Sequence, residues 1–278
     1  MSNFEIRLNN RSYLTRQEFE LTPGYSVTLK ISGLHNKEHL MFKASNNRIS
    51  LAQNADNKKS EQTLKITAVS EGSSEITSVT KGIGQCAVKE MTGKMSDCFP
   101  RLTFLVLPKI AIPSDLTLRQ KVLVQVLLSE TSTPQKKLFN SKEAKEAMTL
   151  MHDALYNRIA SPKARYLDVP QDGNDKLLGV IFKGRVIEGF KNNTIDPKIL
   201  SRISVLIEKA NDGNPDMKKY RMLIQDAIEI AKKDSVISDY TVIGWRTTGS
   251  SLGGGGIEKY KDLQGQTFTK LTAEFLRQ

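Results

Sequence analysis

Up to about residue 110 the chain alternates apolar and polar positions with a period of two, in the short runs YSVTLKIS, EHLMFKAS, QTLKITAV, SSEITSVT and RLTFLVL. Successive side chains of a strand point to opposite faces, so each run predicts a strand with one buried face. The runs recur at spacings near ten residues and are separated by Gly, Asn, Asp and Ser, a pattern that predicts an antiparallel sandwich. After the proline-punctuated LPKIAIPSD the period becomes helical. In TLRQKVLVQVLLSE, residues Leu123, Val126, Leu127 and Glu130 share one face while Lys121, Gln125 and Ser129 line the other. Thr117 followed by Gln120 reads as a capping box at its start. SKEAKEAMTLMHDALYNRIASP predicts a second helix, with Ala144, Ala147, Met148, Met151 and Leu155 on its inner stripe and Pro162 stopping it. A third begins at Asp196-Pro197 and runs to Asn211-Asp212-Gly213, and a fourth begins at Asn214-Pro215 and carries Tyr220, Leu223, Ile224, Ala227, Ile228 and Ala231. The tail DYTVIGWRTTGSSLGGGGIEKYKDLQGQTF reads as a strand-like run, a glycine loop and a short ordered piece.

A length of 278 residues is above the usual size of one domain, so two are expected: a sandwich over 1–110 and a mainly helical domain over 111–278. Hydrophobic residues at 38% and charged ones at 26% place the chain among globular proteins rather than disordered ones. No apolar run approaches the roughly 20 residues that span a bilayer, so no membrane association is expected. MSNFEIRLNN has no charged start, apolar stretch and small-residue cleavage site. The expectation is a chain made in the cytoplasm without a signal peptide.

The net charge of +11 changes the picture by inviting a polyanionic partner: nucleic acid, a membrane surface or a bacterial wall. Nucleic acid is not expected, because Lys and Arg are spread along the chain and no zinc-finger or RNP motif accompanies them. Cys86 and Cys98 either close a small loop or remain reduced, and without a partnering His they are not a zinc site. His35 and His39 in HNKEH lack the H-E-x-x-H order, and His152 stands alone in its helix, so neither a metal nor a cofactor is expected. No G-x-S-x-G is present, and the glycine run is not followed by Gly-Lys-Ser/Thr, which removes support for a serine-peptidase elbow and for a phosphate loop.

Glu130 is the residue that carries candidate chemistry. A carboxylate on the apolar stripe of a helix is costly to bury ionised, and the helix C-terminus adds partial negative charge beside it. Both effects raise its pKa, the condition a general acid needs. The competing expectation is a frayed last turn with Glu130 in solvent and Thr131, Ser132 and Thr133 in a plain loop.

Two resemblances extend this reading. "PGYSVTLKI", "KASNNRISLA" and "TLKITAVSEGSSEITSV" resemble bacterial immunoglobulin-like domains, which usually space, anchor or bind. "VLVQVLLSETSTP", "EAKEAMTLMHDALYNRIASP" and "LLGVIFKGRVIEGFKN", in that order, resemble the spore-cortex and cell-wall hydrolase family, whose helical domain is lysozyme-like. The resemblance implies an α+β multidomain protein: an immunoglobulin-like sandwich followed by a mainly helical lysozyme-like domain. It puts Glu130 at the family's catalytic acid and Asn157-Arg158 at its Asn-Arg pair. Val186-Ile187 stand where the family usually has Gln-Phe, just before Glu188-Gly189-Phe190, residues that line its sugar cleft.

The implied chemistry is cleavage of a glycosidic bond in peptidoglycan by a muramidase, glucosaminidase or lytic transglycosylase. Glu130 would protonate the bridging oxygen; hydrolysis also needs a second carboxylate about 5 to 9 Å away, whereas a transglycosylase uses the sugar's own hydroxyl. Glu143, Glu146, Glu188, Asp239 and Asp262 are candidates for the second carboxylate, Glu188 the preferred one. Trp245 beside Arg246 suits a sugar face and a carboxylate, and the glycine run suits a lid. The implied setting is the periplasm or the extracellular space, reached by non-classical export, with a secretion-apparatus or carrier protein and a cognate immunity protein as partners. The other reading is a non-enzymatic binding or structural protein, such as an adhesin-like or phage tail component.

Overall fold

The computed structural model describes residues 5–8, 12–13, 18–32, 40–56, 61–78, 101–137, 139–170, 173, 175–183, 186–214, 216–233, 242–252 and 254–277. The chain divides into two compact units, one of residues 1–109 with 211–217 and one of residues 110–210 with 218–278. Cys86, Cys98, His35, His39 and Asp239 lie outside the described residues.

In the first unit the strands are β1 (Glu5–Leu8), β2 (Ser12–Tyr13), β3 (Glu18–Leu21), β4 (Ser26–Ser32), β5 (Phe42–Ala44), β6 (Ile49–Asp56), β7 (Glu61–Ala68), β8 (Gly72–Ser78) and β9 (Leu102–Val106). One sheet has the order β2-β1-β4-β7-β6 and the other β3-β9-β8-β5. All pairings are antiparallel except β3 with β9, which run parallel. Alternation decides what is buried: in β7 the residues Gln62, Leu64, Ile66 and Ala68 face inward. Leu29, Ile31, Leu64 and Ile66 of one sheet and Leu21, Ile76, Leu102 and Phe104 of the other form a single core. Phe19 stacks on Phe104 with ring centroids 5.0 Å apart. The segment 211–217 is held here by Thr22 Oγ1, which donates to Asn211 O at 2.7 Å. Gly213 has φ +73, and a Cβ on it would come 2.4 Å from Leu21 Cδ2, so glycine is required there.

The second unit is built on α1 (Leu118–Glu130), α2 (Ser141–Ala160), α3 (Lys176–Phe182), α4 (Pro197–Lys209), α5 (Met217–Ala231) and α6 (Ala273–Arg277). Between them lie the hairpin β10 (Phe190–Lys191) with β11 (Thr194–Ile195) and the strands β12 (Val242–Thr247), β13 (Ile257–Leu263) and β14 (Gln266–Leu271). The capping box of α1 is formed in both directions, Gln120 N donating to Thr117 Oγ1 at 3.3 Å and Thr117 N to Gln120 Oε1 at 3.0 Å. Asp196 caps α4, whose first residue is Pro197. α1 is buried around most of its circumference, from Val122 to Leu128, and so forms the centre of this core. Lys145 ties α2 to α5 through Asp226 at 2.7 Å and Glu229 at 3.0 Å.

The expected fold class, an immunoglobulin-like sandwich followed by a mainly helical lysozyme-like domain, is corrected by this architecture. The C-terminal half is not mainly helical, since it contains the β10–β11 hairpin and an antiparallel sheet of order β12-β14-β13. The tail read as a glycine loop and a short ordered piece supplies two of that sheet's strands. β13 closes on β14 through a tight turn at Gln264 and Gly265, with φ +51 and +78, the left-handed pair that a two-residue hairpin demands. No helix among the described residues is long and apolar enough to cross a membrane.

Candidate functional site

Glu130 is the last residue of α1, and the turn that carries it is ordered. Thr131 N closes on Leu127 O at 3.2 Å, and Thr131 and Thr133 are buried rather than looped into solvent. The expected alternative of a frayed helix end therefore does not hold. The β13–β14 turn clamps this end from the other side: Ser132 Oγ donates to Gln264 O at 2.8 Å, and Gln266 Nε2 donates to Glu130 O at 3.1 Å. Gln264 Nε2 in turn donates to Glu143 Oε2 at 2.8 Å, so Glu143 is held as a brace for the turn.

The Glu130 side chain is half-buried. Trp245, on β12, donates its indole Nε1–H to Glu130 Oε2 at 3.1 Å. Burial raises the Glu130 pKa above the ordinary carboxylate value; the Trp245 hydrogen bond and the charge of Arg202 pull it down, and the charge of Glu188 pushes it up. Glu130, Glu188, Trp245 and Arg202 thus lie within electrostatic or hydrogen-bonding reach of one carboxylate. Glu188 is exposed, in the turn before β10. The sequence reading named three of these four and missed Arg202, along with Gln266. Arg202 flanks the apolar stripe of α4, three residues after Ile199 and four before Leu206. That is the same signal, a charge beside an apolar stripe, that singled out Glu130. Gln266 carries no comparable signal.

The remaining residues expected at the site do other work. Asn157 is buried and its Nδ2 donates to Val242 O at 2.8 Å. Arg158 donates to Ile243 O through Nε and to Leu167 O through Nη1, the latter at 2.9 Å. Burial, seconded by the like charge of Arg246 and opposed by Asp168, pushes its guanidinium down to about 10. The Asn-Arg pair therefore satisfies backbone carbonyls of β12 and holds that strand, with Trp245 on it, against α2. Phe190 is fully buried, 6.1 Å from the Phe182 ring, and belongs to the core. Asn157 and Phe190, with almost no exposed surface, correct the expectation that they contact a ligand, whereas Arg158 is half-buried with its guanidinium engaged by Ile243 O and Leu167 O. Arg246 is half-buried and donates Nη1 to Ser251 O, which orders the loop after β12.

The other carboxylates considered as partners are likewise engaged. Glu146 pairs with Lys261. Asp262 accepts from Lys259 and from Thr267 Oγ1, and these contacts hold its pKa below the ordinary value. His152 is buried, with Nδ1 3.2 Å from Asp153 Oδ1 and Nε2 3.0 Å from Lys233 O, a structural placement between α2 and the end of α5. Among the described residues no group of three or more His, Cys, Asp or Glu side chains could hold a metal ion.

No protein-family model matches the chain, and no curated protein matches it significantly. Among solved structures it is similar to the crystal structure of the S-layer protein rSbsC, at 18% identity and a TM-score of 0.25 over 40% of this chain. The match spans 14% of that chain.

Proposed function

We propose that this protein cleaves glycosidic bonds in the glycan strands of peptidoglycan, with Glu130 as general acid. The observation that carries the proposal is the placement of Glu130: a half-buried carboxyl at an ordered helix end, held above its ordinary pKa by burial, with Trp245 hydrogen-bonded to it. A group in that state still carries a proton where an exposed glutamate has lost its own, and can give it to the bridging oxygen as the bond to the sugar ring breaks. Trp245 offers a flat ring fixed beside the acid, a surface on which a sugar packs. Glu188, exposed and acting electrostatically on Glu130, is the second carboxylate, as nucleophile or activator of water. Its charge also favours the protonated form of Glu130, the division of labour that a pair of carboxylates in one site requires. Such an enzyme meets its substrate outside the cytoplasm.

The test is digestion of purified sacculi followed by mass spectrometry of the released fragments. Wild-type protein releases muropeptides and Glu130→Gln does not; Glu188→Gln loses hydrolysis while leaving the fold intact. Reducing ends identify hydrolysis and anhydro ends identify transglycosylation, the outcome that would assign Glu188 a lesser role. Equal release by wild type and Glu130→Gln removes the proposal.

A further inference from the structure

α4 lies at the junction of the groups that surround Glu130. It packs against α1, the helix that ends in Glu130. The Glu188-Gly189 turn is fastened to its first turn: Asp196 N donates to Gly189 O at 2.8 Å. A Cβ on Gly189, whose φ is +76, would come 2.4 Å from Ile199 Cδ1, so the turn sits directly on α4. Arg202 is one helical turn beyond Ile199 and is exposed.

The cations of this unit that the site could use are mostly committed elsewhere. Arg158 and Arg246 donate to backbone carbonyls, and Arg119 pairs with Asp175 at 3.1 Å. Arg202 makes no hydrogen bond or ion pair among the described residues, and it is not bonded to Glu130 although its charge reaches that carboxylate. Its effect on the free protein runs against the acid, because a nearby positive charge favours the ionised form. An arginine kept only to serve Glu130 would be better absent. The contradiction disappears when an anion of the substrate pairs with the guanidinium: its field is then cancelled, and Glu130 is left with burial and Glu188, both of which keep the proton on.

Resting on the proposed glycan cleavage, we infer that Arg202 receives a carboxylate of the substrate beside Glu130 and makes the site selective for peptidoglycan with free carboxylates over the same glycan with its carboxylates amidated. The guanidinium fork suits a carboxylate bidentately, which an ammonium does not.

The experiment measures binding, so that it does not depend on turnover. Glu130→Gln protein is sedimented with native sacculi and with sacculi whose carboxylates have been amidated, which removes the charge and leaves the glycan in place. Native sacculi are expected to bind more tightly, and Arg202→Gln on the same background should lower that preference by about tenfold, the effect of one charge-assisted contact. Arg202→Lys should recover part of it. Lys65→Gln, which removes one charge from an exposed site on β7, controls for the +11 of the whole chain and should leave the preference unchanged. The inference is overturned if Arg202→Gln changes the preference no more than Lys65→Gln does, or weakens binding to both preparations equally. It is also overturned if neither preparation binds. An Arg202-dependent preference in a protein whose wild type releases no fragments would sink the cleavage proposal and leave the anion site standing.

Discussion

Replacing Trp245 by Phe keeps a flat apolar ring at the site and removes a single hydrogen-bond donor. The donor is the indole Nε1–H, 3.1 Å from Glu130 Oε2. Hydrogen bonds to charged groups contribute about 1.5–3 kcal/mol, and this one is longer than the ~2.8 Å usual for a charged pair, so about 1.5 kcal/mol applies. The bond favours the carboxylate over the carboxylic acid. Its loss therefore adds to the effect of burial, and the Glu130 pKa should rise in Trp245→Phe by the equivalent of that energy. The measurement is a carbon NMR titration of protein labelled at the glutamate carboxyls, with Glu130→Gln used to assign the signal. A general acid works only while it holds its proton, so the alkaline limb of the kcat/KM profile on sacculi should move upward by the same amount. A titration midpoint that stays in place or falls would refute the reasoning, because it would mean that the indole does not support the ionised form.

Other consequences of the structure are open to direct measurement. Because burial raises the Glu130 pKa in the folded state, the stability tied to its proton is complete below the unfolded value and is lost as pH rises through the folded value. Glu130→Gln should accordingly match wild type in Tm near pH 4 and melt higher than wild type near pH 8; a lower Tm at pH 8 would contradict the burial argument. Arg158→Met removes the donor from two carbonyls, Ile243 O and Leu167 O, and should cost about 3 kcal/mol in urea unfolding, against less than 1 if water replaces the guanidinium. Gly213→Ala, forced to φ +73 with its Cβ in contact with Leu21, should destabilise by about 2 kcal/mol, and a neutral result would mean that the segment 211–217 is not held as described. Phe190→Ala should cost about 3–5 kcal/mol as a core truncation, whereas a substrate-contact role would reduce activity at unchanged stability.

Local rules account for what was legible in the chain. Thr117 with Gln120 and Asp196 with Pro197 mark helix starts because caps are made within three residues, so no distant partner is needed. β4, β5, β7, β8 and β9 were legible because their runs alternate apolar and polar positions, and in β4 and β7 alternate residues are buried, while α1 was legible because its apolar face is continuous. β13 was not legible: in IEKYKDL only Leu263 is buried, so no alternation announces the strand, and its place comes from pairing with β14. The short α3 over KLLGVIF is not legible either, since seven residues carry too little periodicity to separate helix from strand.

The candidate site divides along the same line. Sequence by itself placed Glu130 on an apolar helix face near the helix end, and burial and dipole arguments implied a raised pKa. Only the tertiary structure decided that the helix end is clamped rather than frayed, because the clamp comes from Gln264 and Gln266, far along the chain. It alone brought Trp245 to the carboxylate from 115 residues away and placed the charges of Arg202 and Glu188 within reach. It also moved Asn157, Arg158 and Phe190 from the surface of a cleft into the scaffold. Helical and strand periods are properties of neighbouring residues, whereas which buried face meets which is settled only when the whole core packs.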